Sequence, residues 1–339
     1  MHYNIHRNKE GIWKAISINT IHTTKKSTKN YTLNSLLIIN NLNLHYLDEK
    51  GWKKDPLDIP FEESIINLNG SIEFNKSSFG KIQLKGALLE NNDPFYIKGH
   101  INLNNTDYLI GFNTKSLKLS KWGPYVIKNN KLKLNGSSTS INGYIKSKHI
   151  QSKGTPFWYS LNFNITNGTF KMPIFNKEIE SINGNLTLSY GELSPETLKT
   201  YLPNLSSKKQ QHIIQDLKKS GIISEDNKIN KNALAKIKNH KSSLLPKKLL
   251  QNILKTPPFT ISFNTLSGNL YSIPSEINGP INITNDHLQL ELKTPSFKSN
   301  KLNNIIPLIK KINPTHPISL DINITNTLKN PIINGKAVS

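Results

Sequence analysis

One phrase recurs along the chain: an apolar residue, Asn or another polar residue, Gly, and then apolar residues at every second position. It reads "INLNGSIEFN" at 66–75, "IKGHINLN" at 97–104, "SINGNLTLS" at 181–189, "LSGNLYSI" at 266–273 and "INGPINIT" at 277–284. A period of two belongs to a strand, whose side chains alternate between two faces. Ile72 and Phe74, Ile82 and Leu84, Leu117 and Leu119, Leu132 and Leu134, then Leu161, Phe163 and Ile165 each place apolar groups on one face. Asn, Lys, Ser and Thr fall on the other. That is the pattern of an antiparallel sheet with one wet face. "LDEKG" (47–51), "ENNDP" (90–94) and "KNNK" (128–131) supply turns between the runs.

The Asn-Gly pairs admit two readings. Asn-Gly is the strongest short hairpin signal, because a type I′ turn needs positive φ at both central residues. Parity points the other way. In Ile97-Gly99-Ile101-Leu103, Ile182-Gly184-Leu186-Leu188 and Ile277-Gly279-Ile281-Ile283 the glycine falls on the apolar alternation. A continuous strand would then carry Gly70, Gly99, Gly184 and Gly279 on its apolar face, where a missing side chain permits a bend or a close backbone approach. Such bends, repeated in successive strands, would curl a sheet around an apolar lining.

Residues 194–256 break the alternation. Ser194 reads as a helix N-cap, Pro195 as the first helical residue and Glu196 as a first-turn acid. In "SSKKQQHIIQDLKKSG" (206–221) Ile213, Ile214 and Leu217 form one stripe and Gly221 ends the helix. "NKNALAKIKNH" and "LPKKLLQNIL" read as two further short helices. From 257 the alternation resumes, through "LQLELK" (288–293) and "ISLDINITN" (318–326), with an amphipathic stretch between them. The expected organisation is a poorly defined segment at 1–30, a repetitive β region at 31–193, a helical insertion at 194–256, and a continuation of the β region at 257–339 with a short amphipathic helix near 302–312.

Charge narrows the partners. The formal net charge is +22, yet Arg7 is the only arginine. Base and phosphate recognition favours the bidentate Arg fork, and no basic-aromatic block is visible, so nucleic acid is not expected as a partner. A Lys-rich solvated surface, attracted to anionic headgroups, accounts for the charge. With no Cys, disulfides and thiol chemistry are excluded. No apolar run near the start suits a signal peptide and no window approaches a membrane span, so the chain reads as carrying no targeting or spanning segment. No nucleophile elbow or phosphate loop is present. No catalytic residue, metal or cofactor is expected, and the protein reads as a non-enzyme.

The segment 64–122, with "LNGSIEF", "LKGALL" and "PFYIKGHINL", resembles the AsmA/TamB-like superfamily of bacterial envelope proteins, including its YhdP-like and AsmA-like C-terminal branches. A second copy lies in "PFWYSLNFNITNGTFKMPIFNKEIESINGNLTLSYG" (156–191), and "LKNPIINGKAV" (328–338) is similar to the family's ending. Members usually carry a membrane anchor and are much longer, so the chain reads as a fragment or shortened member, and 194–256 has no counterpart. The resemblance implies a mainly β fold: an elongated, curled antiparallel sheet forming a groove, located in the periplasm or at the inner membrane. It implies phospholipid transport between membranes or outer-membrane assembly, with phospholipid acyl chains, a membrane surface or envelope proteins as partners. The groove-lining candidates are Ile72, Phe74, Ile82, Leu84, Ile101, Leu103, Leu117, Leu119, Leu161, Phe163, Leu186 and Leu188. The same alternation also suits a closed β-sandwich, a structural or adhesive protein that binds a protein partner.

Overall fold

The computed structural model describes residues 2–10, 12–16, 33–50, 60–102, 107–126, 132–147, 157–173, 175, 177–203, 205–230, 245–298, 301 and 316–338. The chain is mainly β, with few helices, and divides into two compact units. The first comprises Met1–Lys128 and Ser138–Phe157, the second Asn129–Ser137 and Trp158–Ser339.

The first unit holds β1 (His2–Arg7), β2 (Trp13–Ile16), β3 (Leu33–Asp48), β4 (Phe61–Ser77), β5 (Phe79–Leu88), β6 (Pro94–Asn102), β7 (Tyr108–Thr114), β8 (Leu117–Lys118), α1 (Leu119–Val126) and the greater part of β9 (Lys133–Ser147). From β3 to β7 each strand pairs antiparallel with the next, and β7 pairs antiparallel with β9. Within the N-terminal segment, expected to be poorly defined, the described residues form two strands: β1 lies parallel to β3 and antiparallel to β2. Its anchor is long-range, because the Arg7 guanidinium lies 3.6 Å from the buried Asp48 carboxylate. Local pattern carries no trace of such a partner.

The second unit holds the first residues of β9, then β10 (Phe157–Lys171), β11 (Ile179–Tyr190), α2 (Pro195–Tyr201), α3 (Ser207–Lys219), α4 (Lys247–Lys255), β12 (Phe259–Leu270), β13 (Ile273–Asn282), β14 (His287–Lys293), β15 (Phe297–Lys298), β16 (Pro317–Thr327) and β17 (Pro331–Val338). Strands β10 to β14 form an antiparallel succession, β14 pairs with β16, β15 pairs with the start of β16, and β17 pairs with β16. The insertion is therefore flanked by β11 and β12, which pair directly with each other.

The glycines answer the question of the repeated phrase. Gly70, Gly99, Gly184 and Gly279 all lie inside strands rather than at hairpin tips. A Cβ at Gly70 would stand 2.0 Å from the Gln83 carbonyl oxygen, and one at Gly99 would stand 2.1 Å from that of Leu109. Only a bare Cα permits these approaches. The asparagine before the glycine has its own task. Strands β3, β4, β10 and β12 each contain a bulge whose residue takes positive φ: Asn41 (50°), Asn67 (52°), Asn167 (50°) and Thr265 (57°). The bulged residue is out of ladder register. Its amide is met by a side chain from the adjacent strand: the Asn41, Asn167 and Thr265 N–H groups donate to Oδ1 of Asn69 (2.8 Å), Asn183 (3.0 Å) and Asn278 (2.6 Å). Asn-Gly thus locks a bulge on the neighbouring strand and leaves a bare patch on its own.

The insertion folds as its caps require. Ser194 Oγ accepts the Thr197 N–H at 3.2 Å, Ser206 Oγ accepts that of Lys209 at 3.5 Å, and Gly221 takes a φ of 65° past the end of α3. Leu198, Ile213, Ile214, Leu217, Leu250, Ile253 and Leu254 bury together in a core of the insertion's own. It docks on the sheet of its unit through Thr200, whose hydroxyl accepts from the buried Asn282 side chain at 3.0 Å, and through Trp158, whose indole N–H donates to the Ile229 carbonyl at 3.2 Å. A buried Lys228 ammonium bonds the Glu192 carboxylate just past the end of β11. The helices read in 230–240 and near 302–312 lie outside the described residues, apart from Asn230 at the start of the first.

Candidate functional site

In an antiparallel sheet, residues directly opposite one another share a face. Register therefore assigns faces in the first unit strand by strand. Leu37, Ile72, Ile82, Gly99, Ile110 and Ile145 form one cross-strand row; Ile39, Gly70, Leu84, Ile97, Phe112 and Gly143 form the next. Phe74, Gly80, Ile101 and Tyr108 continue the face towards the other strand ends. Of these side chains Phe74 and Ile82 are buried, Leu37 is 54% exposed, and Ile39, Ile72, Leu84, Ile97, Ile101, Ile110 and Phe112 are half-buried. The result is a continuous apolar face from β3 to β9 that keeps solvent access.

One end of this face is closed by α1. The Trp122 ring sits edge-on to Phe61 at 4.8 Å, and its indole N–H donates to Glu63 Oε2 at 3.1 Å. Lys121 Nζ lies 3.1 Å from the same oxygen, and Lys118 Nζ bonds Glu90 at 2.5 Å. The hydrogen bond from Lys118 holds the Glu90 carboxyl below the usual carboxylate range against the opposing effect of partial burial. Leu117 begins the two-residue β8 and Leu119 opens α1; both are buried, and Leu119 is no strand residue. Two apolar residues at i and i+2 do not settle a period. Leu119 with Trp122 at i+3 makes the helical stripe that the alternation concealed.

The second unit builds an equivalent face with a different exposure. Leu161, Leu188, Ile261, Ile281 and Leu288 are successive cross-strand neighbours, as are Phe163, Leu186, Phe263 and Gly279. Phe163, Leu186, Leu188, Ile261, Phe263, Ile281, Leu288, Leu290 and Ile324 are all buried, and Leu161 is half-buried. Rings on β10 and β12 meet over the strand between them: Phe170 lies 5.1 Å from Phe263, and Tyr159 lies 6.2 Å from Phe259. Burial pushes the Tyr159 and Tyr190 hydroxyls up from their ordinary range. This face is a core. Elsewhere in the unit, a cavity of about 460 Å³ lies against α2, α4 and the β13–β14 turn, with Tyr201, Asn252, Ile253, Asn285 and His287 among its walls.

The sequence-derived set thus divides. Ile72, Phe74, Ile82, Leu84 and Ile101 share the face of the first unit; Leu161, Phe163, Leu186 and Leu188 share that of the second; Leu103 lies outside the described residues. Ile97, Ile110 and Phe112 belong to the first face and were legible in the alternation of "YIKGHI" and "YLIGF". Leu37 and Ile39 were not, because "LLIINNLNL" is apolar on both parities and Asn41 then shifts the register. Among the described residues no group of three His, Asp or Glu side chains could hold a metal ion, and no helix is long and apolar enough to cross a membrane. No protein-family model, curated protein or solved structure matches the chain.

Proposed function

We propose that this is a non-enzymatic, AsmA/TamB-like protein that holds phospholipid acyl chains on the apolar face of its first unit. Its setting would be the bacterial envelope, in phospholipid transport between membranes or outer-membrane assembly. The observation that carries the reading is the open row Ile72, Leu84, Ile97, Ile101, Ile110 and Phe112, continuous across neighbouring strands and only half-buried. Lipid binding needs no reactive group. Each methylene fully removed from water is worth about 0.8 kcal/mol, so ten methylenes half covered on this face would gain about 4 kcal/mol. Backbone bonds are satisfied within the sheet, which leaves the face free to act as solvent for an acyl chain.

A second reading, a structural or adhesive β protein with a protein partner, draws its support from the second unit, where the equivalent face is already filled. Native mass spectrometry with lipid extraction separates the two. The purified protein is expected to retain phospholipid, and an Ile97→Asp/Ile101→Asp variant, checked for β structure by circular dichroism, is expected to lose it. A lipid-free parent whose double variant unfolds would make these residues core and give the structural reading precedence.

A further inference from the structure

The opposite face of the same β3–β6 sheet carries a different chemistry. Leu36, Glu73, Lys81 and His100 form one cross-strand row on it, and Ile38, Ser71, Gln83 and Lys98 form the next. Lys85 lies beyond Gln83 on the same strand and face, opposite Tyr96. By strand geometry Lys98 sits about 8 Å from both Lys81 and Lys85 at the backbone, inside one Debye length of about 10 Å. All of these lysines are exposed, and among the described residues none has a carboxylate at ion-pairing distance. Lys118 and Lys121, on the same unit, do have one. The one carboxylate of these two rows, Glu73, stands directly across from Lys81, so the three ammoniums together leave the face with a net positive charge. Beside them on the same face stand large apolar groups in water: Leu36 is 58% exposed, Ile38 60% and Phe79 47%.

We infer that this outer face docks on an anionic phospholipid bilayer, with Lys81, Lys85 and Lys98 on the headgroups and Leu36 and Ile38 entering the interface. Charge complementarity supplies one anchor and exposed aliphatic groups a second, which is what stable surface attachment requires. A nucleic acid would use the lysines but has no use for Leu36 or Ile38. The aromatic faces that would stack bases are also engaged already, with the Phe79 ring on His100 at 4.7 Å and the Lys85 ammonium over Tyr96 at 5.7 Å. The inference stands apart from acyl binding, since it rests on the other face of the sheet.

The test is cosedimentation of the full chain with vesicles of phosphatidylcholine, with and without phosphatidylglycerol. Binding is expected only with phosphatidylglycerol and is expected to weaken steeply with added salt. Each lysine near an anionic surface contributes roughly a fivefold gain in partition, so Lys81→Gln/Lys85→Gln/Lys98→Gln should lose on the order of a hundredfold. Leu36→Ser/Ile38→Ser should reduce binding without altering its salt dependence. Phospholipid retained after purification should be unchanged in the lysine variant, which keeps this result separate from the acyl-binding test. Equal binding to both vesicles, or salt-insensitive binding by the unaltered chain, would overturn the inference even if the variants misfold. So would displacement from vesicles by single-stranded RNA with no effect of the Leu36/Ile38 changes, which would mark a nucleic-acid surface instead.

Discussion

Leu186, Ile261 and Ile281 lie on three consecutive strands of the second unit, and each has 0% of its surface exposed. Ile97, Ile110 and Phe112 hold equivalent places on neighbouring strands of the first unit and remain half-buried. Both sheets use the same alternation, the same in-strand glycines and the same asparagine-locked bulges. What separates them is cover. In the second unit Phe170 and Phe263 reach each other over β11, and side chains of one face pack on one another. In the first, Phe74 and Ile82 are buried and one end is closed by Trp122 and Phe61, while the rest of the apolar face stays accessible. Alternation decides which side chains share a face; it does not decide whether that face becomes core or stays available.

The sharpest way to break this contrast is to delete apolar volume from each face. Leu186→Ala should destabilise the second unit by about 2–5 kcal/mol, the cost of a fully buried leucine and its cavity. Ile97→Ala should cost the first unit about 1–2 kcal/mol, because much of its surface is already in water. Region-resolved hydrogen exchange in urea is the measurement, since two units need not unfold together. Equal losses would make the first face a core and remove the basis of the acyl-chain reading.

A second pair of substitutions asks whether the close strand approach at the glycines bears equally on both units. A Cβ at Gly70 would fall 2.0 Å from the Gln83 oxygen at a φ of 145°, and one at Gly279 would fall 2.2 Å from the Gln289 oxygen at a φ of 114°. Alanine at either site must move a neighbouring strand and adopt a backbone region that L-residues avoid, costing about 2–4 kcal/mol. Similar midpoint shifts in the two units are expected. A much smaller loss for Gly70→Ala would show that the first sheet yields where the second cannot, which would sharpen the comparison.

The β class, the helical insertion, the helix cap at Ser194 and the helix stop at Gly221 were legible because each rests on residues close in sequence. Half of the open face was legible for the same reason: Ile72, Ile82, Leu84 and Ile101 announce their parity within a few positions. Leu37 and Ile39 did not, since the bulge at Asn41 breaks the count and the run is apolar throughout. β1 escaped because its place depends on β3 and on the Arg7–Asp48 pair, partners far away along the chain. The split between filled and open faces left no local mark. It arises from contacts such as Phe170 with Phe263, which no pattern along one strand records.

The asparagines provide the finest test of how far the two units share one construction. In the first unit Asn69 accepts the Asn41 N–H and donates its amide to the Asn67 carbonyl at 2.6 Å. In the second, Asn183 accepts the Asn167 N–H and donates to the Ser181 carbonyl at 2.8 Å. Each side chain therefore satisfies two backbone groups that bulging removes from the ladder, and the glycine immediately after it has positive φ and a neighbouring strand at close approach. All four groups are near solvent, so water replaces part of what is lost, and Asn69→Ala or Asn183→Ala should cost about 1 kcal/mol. Aspartate keeps the acceptor and loses the donor, so Asn183→Asp should retain slow exchange at the Asn167 amide while Asn183→Ala speeds it. The same ordering is expected at Asn41 for the Asn69 pair. If exchange at Asn41 proves indifferent to Asn69 while Asn167 responds to Asn183, the lock holds only where the apolar face is filled. The glycine alone would then shape the open sheet.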